Sequence, residues 1–276
     1  MSLKGKIAIV TGSTRGIGFA IAKEFAEVND SIVIVCSRNL NQAARAVTQI
    51  KGKAFAAEVD VTSDSSVKEF IQQVLDNHKR IDILVNNAGY PFDRNIWYKK
   101  FHEISNNELD RIIEVDLKGS ARLAREVIPI MLQNNCGDSS SEIKIGKVKR
   151  KKRIVVVGGG GGVIINISST PAIAGHTKGS SYTIAKAANI ALTKCISKEY
   201  GINNIRAYSL ALGNIATTMT YESMTPEDRD IAAQEPSMKR WGRPEEVAKV
   251  AACIADDNFS FATGNTIIID GGSVFL

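Results

Sequence analysis

The sequence predicts an α/β fold in which a seven-stranded parallel sheet is doubly wound, with helices on both faces. Short apolar, β-branched runs alternate along the chain with segments that carry apolar residues at helical spacing. The runs are almost continuously apolar, as expected for parallel strands that are buried on both faces. A chain of 276 residues that is 44% hydrophobic can bury one large core. We therefore expect a single domain over residues 1–276.

The seven strands are predicted in order from their apolar runs. The first four are KIAIVTG, SIVIVCS, KAFAAEVDV and IDILVNNAG, and the last three are GVIINISS, IRAYSLAL and NTIIIDGG. Helical periodicity between them predicts helices over residues 19–28, 40–50, 65–78, 107–132, 181–200 and 244–256. Strands joined by helices of this length form βαβ units, and these units require a parallel sheet.

One stretch, about residues 135–162, interrupts this alternation. It contains EIKIGKVKRKKR at 142–153, which carries the whole net charge of +6, and five consecutive glycines at 158–162. We interpret it as a basic, glycine-rich insertion that forms a surface hairpin, with a disordered loop as the alternative. Because a charge run is usually a solvated face, the stretch argues only weakly for binding to nucleic acid or membrane.

A glycine-rich turn, TGSTRGIG, follows the first strand and opens the first helix. Gly12 suits the tight turn, Gly16 allows backbone amides to approach a pyrophosphate, and Gly18 allows close packing of helix and strand. The amides at the start of the helix then face the anion. The loop predicts a dinucleotide site formed by Gly12, Ser13, Thr14, Arg15, Gly16, Ile17 and Gly18.

The end of the second strand predicts which dinucleotide binds. A carboxylate there would bind the ribose 2′-hydroxyl of NAD, but VIVCSRN has Ser37 and Arg38 and no acid. Arg15 lies in the glycine loop on the same side. Two guanidinium groups and a hydroxyl suit a 2′-phosphate, so the sequence favours NADP(H) over NAD(H). If both arginines are merely exposed, NAD remains possible.

Tyr182 and Lys186 are four residues apart in a predicted helix, and Ser169 precedes the tyrosine by thirteen residues. A phenol is a weak acid at neutral pH, with an ordinary pKa near 10. An ammonium group one helical turn away favours the phenolate, and a nearby hydroxyl can hydrogen-bond a carbonyl oxygen. Together with the glycine loop, these residues predict interconversion of a carbonyl and an alcohol.

These motifs, in this order and spacing, resemble the short-chain dehydrogenase/reductase family, and the 3-oxoacyl-(acyl carrier protein) reductases within it. The resemblance runs from KGKIAIVTG to TGNTIIIDGG and implies a Rossmann-type sheet. It implies that Ser169 binds the substrate oxygen, that Tyr182 is the general acid in reduction, and that Lys186 also binds the nicotinamide ribose. It further implies cofactor contacts from Asp60, Val61, Asn87, Ala88, Gly89, Ile215 and Thr217.

Two positions depart from the family pattern. Leu212-Gly213 stands where the family usually has Pro-Gly, which frees the backbone of that loop. Asp116 stands where the family has the asparagine of its catalytic set. We interpret Asp116 as a polar stand-in that stabilises a helix kink. The alternative is that its charge favours the Lys186 cation and competes with the tyrosinate for it.

The substrate follows less directly from the sequence. Phe92, Trp97 and Tyr98 are candidates for the substrate mouth or for helix packing, and residues 218–240 are a candidate lid. We expect reduction of a ketone, such as a 3-oxoacyl thioester on an acyl carrier protein. The alternatives are an alcohol or sugar dehydrogenase working oxidatively, or a nucleotide-binding regulatory protein with weak catalysis.

The remaining expectations concern assembly, location and metals. The resemblance implies a homo-oligomer, with a tetramer the expected form. The four cysteines and three histidines are scattered without metal-ligand spacing, so we expect no metal site. No leader pattern or long apolar run is visible, which predicts a cytoplasmic protein that does not bind membranes.

Overall fold

The computed structural model of the chain describes residues 3–134 and 161–275. Its seven strands are β1 (Ile7–Thr11), β2 (Ile32–Ser37), β3 (Ala54–Glu58), β4 (Ile83–Asn86), β5 (Gly162–Ser169), β6 (Ile205–Leu212) and β7 (Thr266–Ile269). They form one parallel sheet in the order β3-β2-β1-β4-β5-β6-β7. The predicted fold class is therefore confirmed. The chain reverses its winding between β1 and β4, which is where such sheets bind ligands.

The helices surround this sheet. They are α1 (Gly16–Lys23), α2 (Leu40–Val47), α3 (Asp64–His78), α4 (Arg94–Trp97), α5 (Asn106–Ile113), α6 (Gly119–Met131), α7 (Pro171–Ala174), α8 (Ser180–Tyr200), α9 (Thr218–Glu222), α10 (Pro226–Gln234) and α11 (Pro244–Ala255). Several begin at a polar residue whose side chain accepts a hydrogen bond from the first turn, as Asn39, Ser63 and Ser105 do.

The core lies in two layers, one on each face of the sheet. Alternate residues of β1 belong to different layers: Ala8 and Val10 pack with α1, α2 and α11, whereas Ile7 and Ile9 pack with α3, α6 and α8. This division follows from the two-residue period of a strand. Because both faces are covered, the central strands are buried along their length, as their apolar runs predict.

The helix predicted over residues 107–132 is not continuous. A π-helical turn, Glu114–Lys118, separates α5 from α6. At this turn the main-chain oxygen of Asp116 accepts hydrogen bonds from Ser120 Oγ (3.0 Å) and from Asn189 Nδ2 (2.8 Å) of α8. A second π turn, Glu24–Val28, ends the first predicted helix. The apolar periodicity of both segments is close to that of an α-helix, so the sequence did not distinguish these turns.

Most of the insertion at 135–162 lies outside the described residues, and so does the hairpin predicted for it. The structure does describe where the chain enters and leaves it. Gly161 N donates to Met131 O (3.0 Å), and Asn134 Nδ2 donates to Gly161 O (3.1 Å). The two ends of the insertion therefore meet at the amino-terminal end of β5, whereas Ser169 lies at the carboxyl-terminal end of that strand.

Two further findings concern the described residues as a whole. None of their helices is long and apolar enough to cross a membrane. Within the same part of the chain, no group of three or more His, Cys, Asp or Glu side chains is placed to bind a metal ion.

Candidate active site

The carboxyl ends of four neighbouring strands meet at one edge of the sheet. The glycine loop follows β1, Asn87–Gly89 follow β4, Ser169 ends β5, and the segment with Ile215 and Thr217 follows β6. Residues that are far apart in the sequence therefore come together where ligands bind in open α/β sheets. The predicted site residues of these segments share one cleft edge.

The glycine loop has the backbone that its glycines predict. Gly12 (φ +60°) and Gly16 (φ +58°) lie in the left-handed region, which favours glycine. A Cβ at Gly18 would lie 2.7 Å from Gly12 O and 3.0 Å from Ser13 Cα, so only glycine fits against the turn. The extended residue Arg15 precedes α1 and its side chain does not cap the helix. The first amides of α1 are thus left to a ligand.

The side chain of Ser13 has a different partner from the one predicted. It is fully buried, its hydroxyl donates to Val10 O (2.5 Å), and it accepts from Cys36 N (3.1 Å). The hydroxyl therefore joins β1 to β2, as does the amide of Ser13, which donates to Cys36 O (3.3 Å). Thr14 and Arg15 continue the loop, with Arg15 exposed to solvent.

Asn87 connects β4 to the glycine loop. Its side-chain Nδ2 donates to Thr11 O (2.8 Å) and Gly12 O (3.1 Å), and the amides of Asn87 and Ala88 both donate to Thr11 Oγ1 (2.9 Å each). These bonds fix the loop against the neighbouring strand. Asn87 therefore has a structural task besides the ribose contact that the resemblance implies.

The end of β2 carries the residues that favour NADP(H). Ser37 Oγ donates to Asn39 O (2.8 Å), and Arg38 is exposed. Burial raises the pKa of Asp60, but hydrogen bonds from Thr62 and the charge of Arg38 outweigh it and lower that pKa. An acid that the sequence analysis did not consider, Glu58, pairs with Ser37 in the sheet register. Its Oε2 accepts from Leu40 N (3.3 Å).

Ser168 and Ser169 are distinguished by their surroundings at the end of β5. Ser168 is 1% exposed and its Oγ donates to Lys186 O (2.9 Å), so this hydroxyl anchors α8 to the strand. Ser169 lies one residue closer to the cleft, and its Oγ donates to Leu212 O (3.2 Å). The predicted interval of thirteen residues thus selects the serine at the tip of the strand.

Tyr182 and Lys186 lie one turn apart on α8, with the Lys186 ammonium 5.5 Å from the centre of the Tyr182 ring. Lys186 is 5% exposed and donates to Ile167 O (3.2 Å). Burial lowers the pKa of Lys186, but the Asp116 carboxylate and the neighbouring Tyr182 side chain outweigh this effect, and the pKa lies above its ordinary value. The lysine is therefore a cation in this buried position.

Asp116 supplies the negative charge that this lysine needs. Its Oδ1 lies 2.8 Å from Lys186 Nζ, and its Oδ2 accepts from Tyr90 N (2.7 Å). Asp116 is 1% exposed, so the ion pair is shielded from water. The predicted helix kink is present, but it uses the main chain of Asp116. The side chain of Asp116 instead pairs with Lys186, as the alternative interpretation of this residue expects.

An aromatic wall stands beside Tyr182. The ring of Trp97 in α4 lies 5.6 Å from that of Tyr182, 5.7 Å from that of Phe92 and 5.8 Å from that of His176. Gly179, just before α8, lies under the indole: its amide donates to Trp97 O (2.8 Å). Trp97 thus lies beside Tyr182 and also packs against the start of α8, which is compatible with both roles considered for it. Gly179 was missed, although it stands three residues before Tyr182.

Tyr98, next to Trp97, lies between two cations. Arg94 Cζ is 5.0 Å and Lys178 Nζ is 4.6 Å from the centre of its ring. Such contacts hold cations over an aromatic face. The two cations come from α4 and from the segment before α8, the same parts of the chain that form the aromatic wall.

The segment after β6 contacts the glycine loop directly. Thr217 begins α9 by accepting from Thr220 N (3.3 Å), and its methyl group lies 3.4 Å from where a Cβ of Gly16 would be. Ile215 is buried and pairs with Gly242 as an isolated β-bridge. At Gly213, a Cβ would come within 2.6 Å of Asp270 Cβ. Close packing thus restrains this loop where the family's proline is absent.

The predicted lid at 218–240 contains the two helices α9 and α10. Met219 and Met238 are exposed, at 37% and 65%, on this segment. The Arg240 guanidinium binds Glu246 at the start of α11 (2.7 Å) and so fixes the carboxyl end of the segment.

Comparison with known proteins identifies the family. A family model described as short chain dehydrogenase matches residues 6–139, and one described as Enoyl-(Acyl carrier protein) reductase matches residues 148–274. The chain is 32% identical to 3-oxoacyl-[acyl-carrier-protein] reductase FabG of Thermotoga maritima, over 99% of this chain and 100% of that protein. The chain belongs to the short-chain dehydrogenase family, and it is an oxidoreductase of that family.

Two other relatives have different names. Glucose 1-dehydrogenase 2 of Bacillus subtilis is 30% identical over 98% of this chain and 95% of its own length. A crystal structure of a candidate gluconate dehydrogenase from Agrobacterium tumefaciens superimposes with a TM-score of 0.84 at 26% identity, covering 99% of this chain and 97% of that one. The names of the relatives thus span reduction of a 3-oxoacyl group and oxidation of a sugar or sugar acid.

The residues present fit the nicotinamide dinucleotide that the family uses. The left-handed Gly12 and Gly16 and the uncapped start of α1 form a cradle for a pyrophosphate. On the other side of the cleft, Gly89 has no side chain where a Cβ would lie 3.1 Å from Asp116 Oδ1 and 3.8 Å from Lys186 Nζ. This position keeps the approach to Lys186 open.

Proposed function

We propose that this oxidoreductase uses NADP(H) to reduce a ketone to a secondary alcohol, with Tyr182 as the general acid. The observation that carries the proposal is the buried Lys186 cation, 5.5 Å from the Tyr182 ring, on the helix α8 that packs against β5, the strand that ends at Ser169. Such a cation beside a phenol is suited to tuning proton transfer.

Each residue has a defined task in this proposal. The hydroxyl of Ser169 exchanges its bond to Leu212 O for a hydrogen bond to the substrate carbonyl oxygen and so orients the substrate. A reduced nicotinamide, when bound, supplies the hydride that adds to the carbonyl carbon. Tyr182 gives its proton to the carbonyl oxygen as negative charge develops there, and Lys186 stabilises the phenolate that remains. A proton from water then restores the phenol.

The preference for NADP(H) rests on the charges at the end of β2. Arg38 is exposed directly after β2, and its charge lowers the pKa of Asp60, the residue for which the resemblance implies an adenine contact. Arg15 is exposed on the glycine loop. Two guanidinium groups would bind a 2′-phosphate, although Glu58 brings an opposing charge to the adjacent strand end.

Two substrate classes remain in this proposal. The likeness to 3-oxoacyl-[acyl-carrier-protein] reductases favours a 3-oxoacyl thioester, with an acyl carrier protein as partner. The likeness to glucose 1-dehydrogenase 2 favours a second candidate, oxidation of a sugar or another alcohol. The buried Lys186 beside Tyr182 argues against a purely regulatory nucleotide-binding protein.

We propose further that the enzyme is a homotetramer. The edge strand β7 is only half-buried, and Phe261 and Phe275 near it are 105% and 81% exposed. An open strand edge beside exposed aromatic rings suits an interface between copies of the chain. Light scattering at micromolar concentration tests this, and a monomer would contradict it.

The experiment for the main proposal is a panel of ketones and alcohols measured with NADPH and NADH at the nicotinamide absorbance band. Tyr182→Phe should abolish turnover and leave NADPH binding nearly intact, since only the transferable proton is lost. Tyr200→Phe, at the far end of α8, is the matched control and should stay active. Retained activity in Tyr182→Phe, or no turnover of any carbonyl or alcohol, would contradict the proposal.

A further inference from the structure

Two opposite charges, those of Asp116 and Lys186, are buried together at the site. Asp116 and Lys186 are 1% and 5% exposed, and their charged atoms are 2.8 Å apart. The second carboxylate oxygen is held by Tyr90 N (2.7 Å). The carboxylate is thus held by an ion pair at one oxygen and by a main-chain hydrogen bond at the other, which offsets part of the cost of burying it.

This ion pair changes the electrostatic environment of Tyr182. An isolated lysine cation near the ring would favour the phenolate strongly, because little water is present to screen it. The Asp116 carboxylate offsets most of that positive charge at a distance of a few ångströms from the lysine. The asparagine that the family has at this position would bind Lys186 without offsetting its charge.

The groups around Tyr182 come from six segments of the chain. Lys186 lies one turn along α8, Ser169 ends β5, and Asp116 lies in the π turn behind the lysine. Tyr90 follows β4, and its amide is bound to Asp116. On the remaining side is the neutral ring of Trp97 in α4, with His176, before α8, against its far face.

We propose that Asp116 is a positioning residue that compensates the charge of Lys186, so that Tyr182 holds its proton more tightly than it would beside an uncompensated lysine, and so sets the pH range in which the site donates or accepts this proton. The inference rests on the proposed function. Reduction needs the phenol, because its O–H bond breaks to give the proton to the carbonyl oxygen. Oxidation needs the phenolate, which takes the hydroxyl proton as hydride leaves the carbon for the oxidised nicotinamide.

Replacing Asp116 by asparagine should therefore lower the pH at which Tyr182 ionises, by on the order of one pH unit. The acidic limb of the oxidation profile and the alkaline limb of the reduction profile should move down together. Oxidation near neutral pH should gain up to about tenfold, and reduction at alkaline pH should lose by a similar factor.

The experiment combines kinetics with a direct titration. We would measure kcat/KM against pH in both directions for the wild type and Asp116→Asn. Tyrosine labelled with ¹³C at Cζ reports phenol ionisation by NMR without turnover, and the Tyr182→Phe variant assigns the signal. Asp116→Ser makes the same charge change with a smaller side chain, which covers the case in which the amide variant does not fold.

Asp82→Asn is the matched control. Asp82 is 4% exposed and pairs with Arg80 (2.6 Å), but it lies at the amino-terminal end of β4, away from Tyr182. The Asp82→Asn substitution removes a buried carboxylate without changing the charge at the site. It should leave the Tyr182 titration unchanged.

The outcomes separate the two proposals. A downward shift in both kinetics and NMR for Asp116→Asn, absent in Asp82→Asn, supports the inference. An unchanged or raised Tyr182 titration overturns it, as does an equal shift in the control. An NMR shift in a protein that turns over no carbonyl or alcohol contradicts the proposed function, while the effect of Asp116 on Tyr182 stands.

Discussion

Gly179→Ala tests how the aromatic wall at the site is built. Gly179 has φ +68°, and a Cβ there would lie 2.5 Å from Trp97 Cε3 and 2.8 Å from Cη2. Both distances are well below van der Waals contact. The indole cannot simply retreat, because its ring already packs against Phe92, His176 and Tyr182.

The magnitude follows from two separable costs. An alanine in the left-handed region costs roughly 1 kcal/mol, partly offset by the reduced entropy of the unfolded chain. Forcing a side chain into a packed contact costs about 1–3 kcal/mol more. We therefore expect the free energy of unfolding to fall by about 3 kcal/mol, or a melting temperature lower by about 6–12 °C. The KM for a ketone should rise, because Trp97 must move from Tyr182.

Gly175→Ala is the control for a backbone cost without a steric clash. Gly175 has φ +76° and ψ 169°, which is costlier for alanine than the left-handed region, but a Cβ there would meet no atom within 4 Å. It should lose about 1–3 kcal/mol through its backbone alone and keep its KM. Thermal melting, urea unfolding and steady-state kinetics of the two variants make the comparison. An unchanged KM in Gly179→Ala, or the same rise of KM in both variants, would refute the role given to Trp97.

The remaining predictions concern the cofactor, the insertion and pH. The wild type should prefer NADPH at least tenfold in kcat/KM, since one phosphate contact is worth about 1.4 kcal/mol, and Arg38→Asp should reverse this; equal use of both cofactors by the wild type would contradict it. Replacing residues 136–160 by a short turn should leave turnover of small ketones within a few-fold, because the flanking Asn134 and Gly161 already meet (3.1 Å); an inactive but folded variant would contradict this. Hydrogen bonds from Arg240 and from Arg243 N lower the pKa of Glu246 from 4.5 to about 2. Its stabilisation is therefore present above about pH 4.5 and lost as pH falls through about 2. Glu246→Gln should destabilise by about 0.5 kcal/mol at pH 7, because solvent screens this pair, and urea unfolding should show no difference near pH 2.

Local patterns in the sequence were sufficient to predict the sheet and most of its helices. The apolar runs of β1, β4 and β6 predict buried parallel strands, and the structure confirms them. The glycine loop is equally local, because its tight turn depends on the positive φ angles of Gly12 and Gly16 themselves. The pair of Tyr182 and Lys186 follows from the four-residue spacing of a helix.

Contacts between distant segments could not be predicted in this way. The sequence places Asp116 in a helix, but only packing of the π turn against α8 brings its carboxylate to Lys186, 70 residues later. The hydroxyl of Ser13 belongs to a recognisable loop, yet burial against Cys36 N commits it to the sheet. In both cases the partner lies on another element, so the periodicity of the local sequence does not indicate the contact.

The sequence by itself determined the α/β class, the family resemblance and the spacing of Ser169, Tyr182 and Lys186, because each depends on residues close together or on a fixed helical or strand period. The tertiary structure alone decided the charge balance and the walls of the site. It paired Asp116 with Lys186 and placed Trp97 over Gly179 beside Tyr182. These contacts depend on how helices pack across the sheet, and packing is set by the whole core.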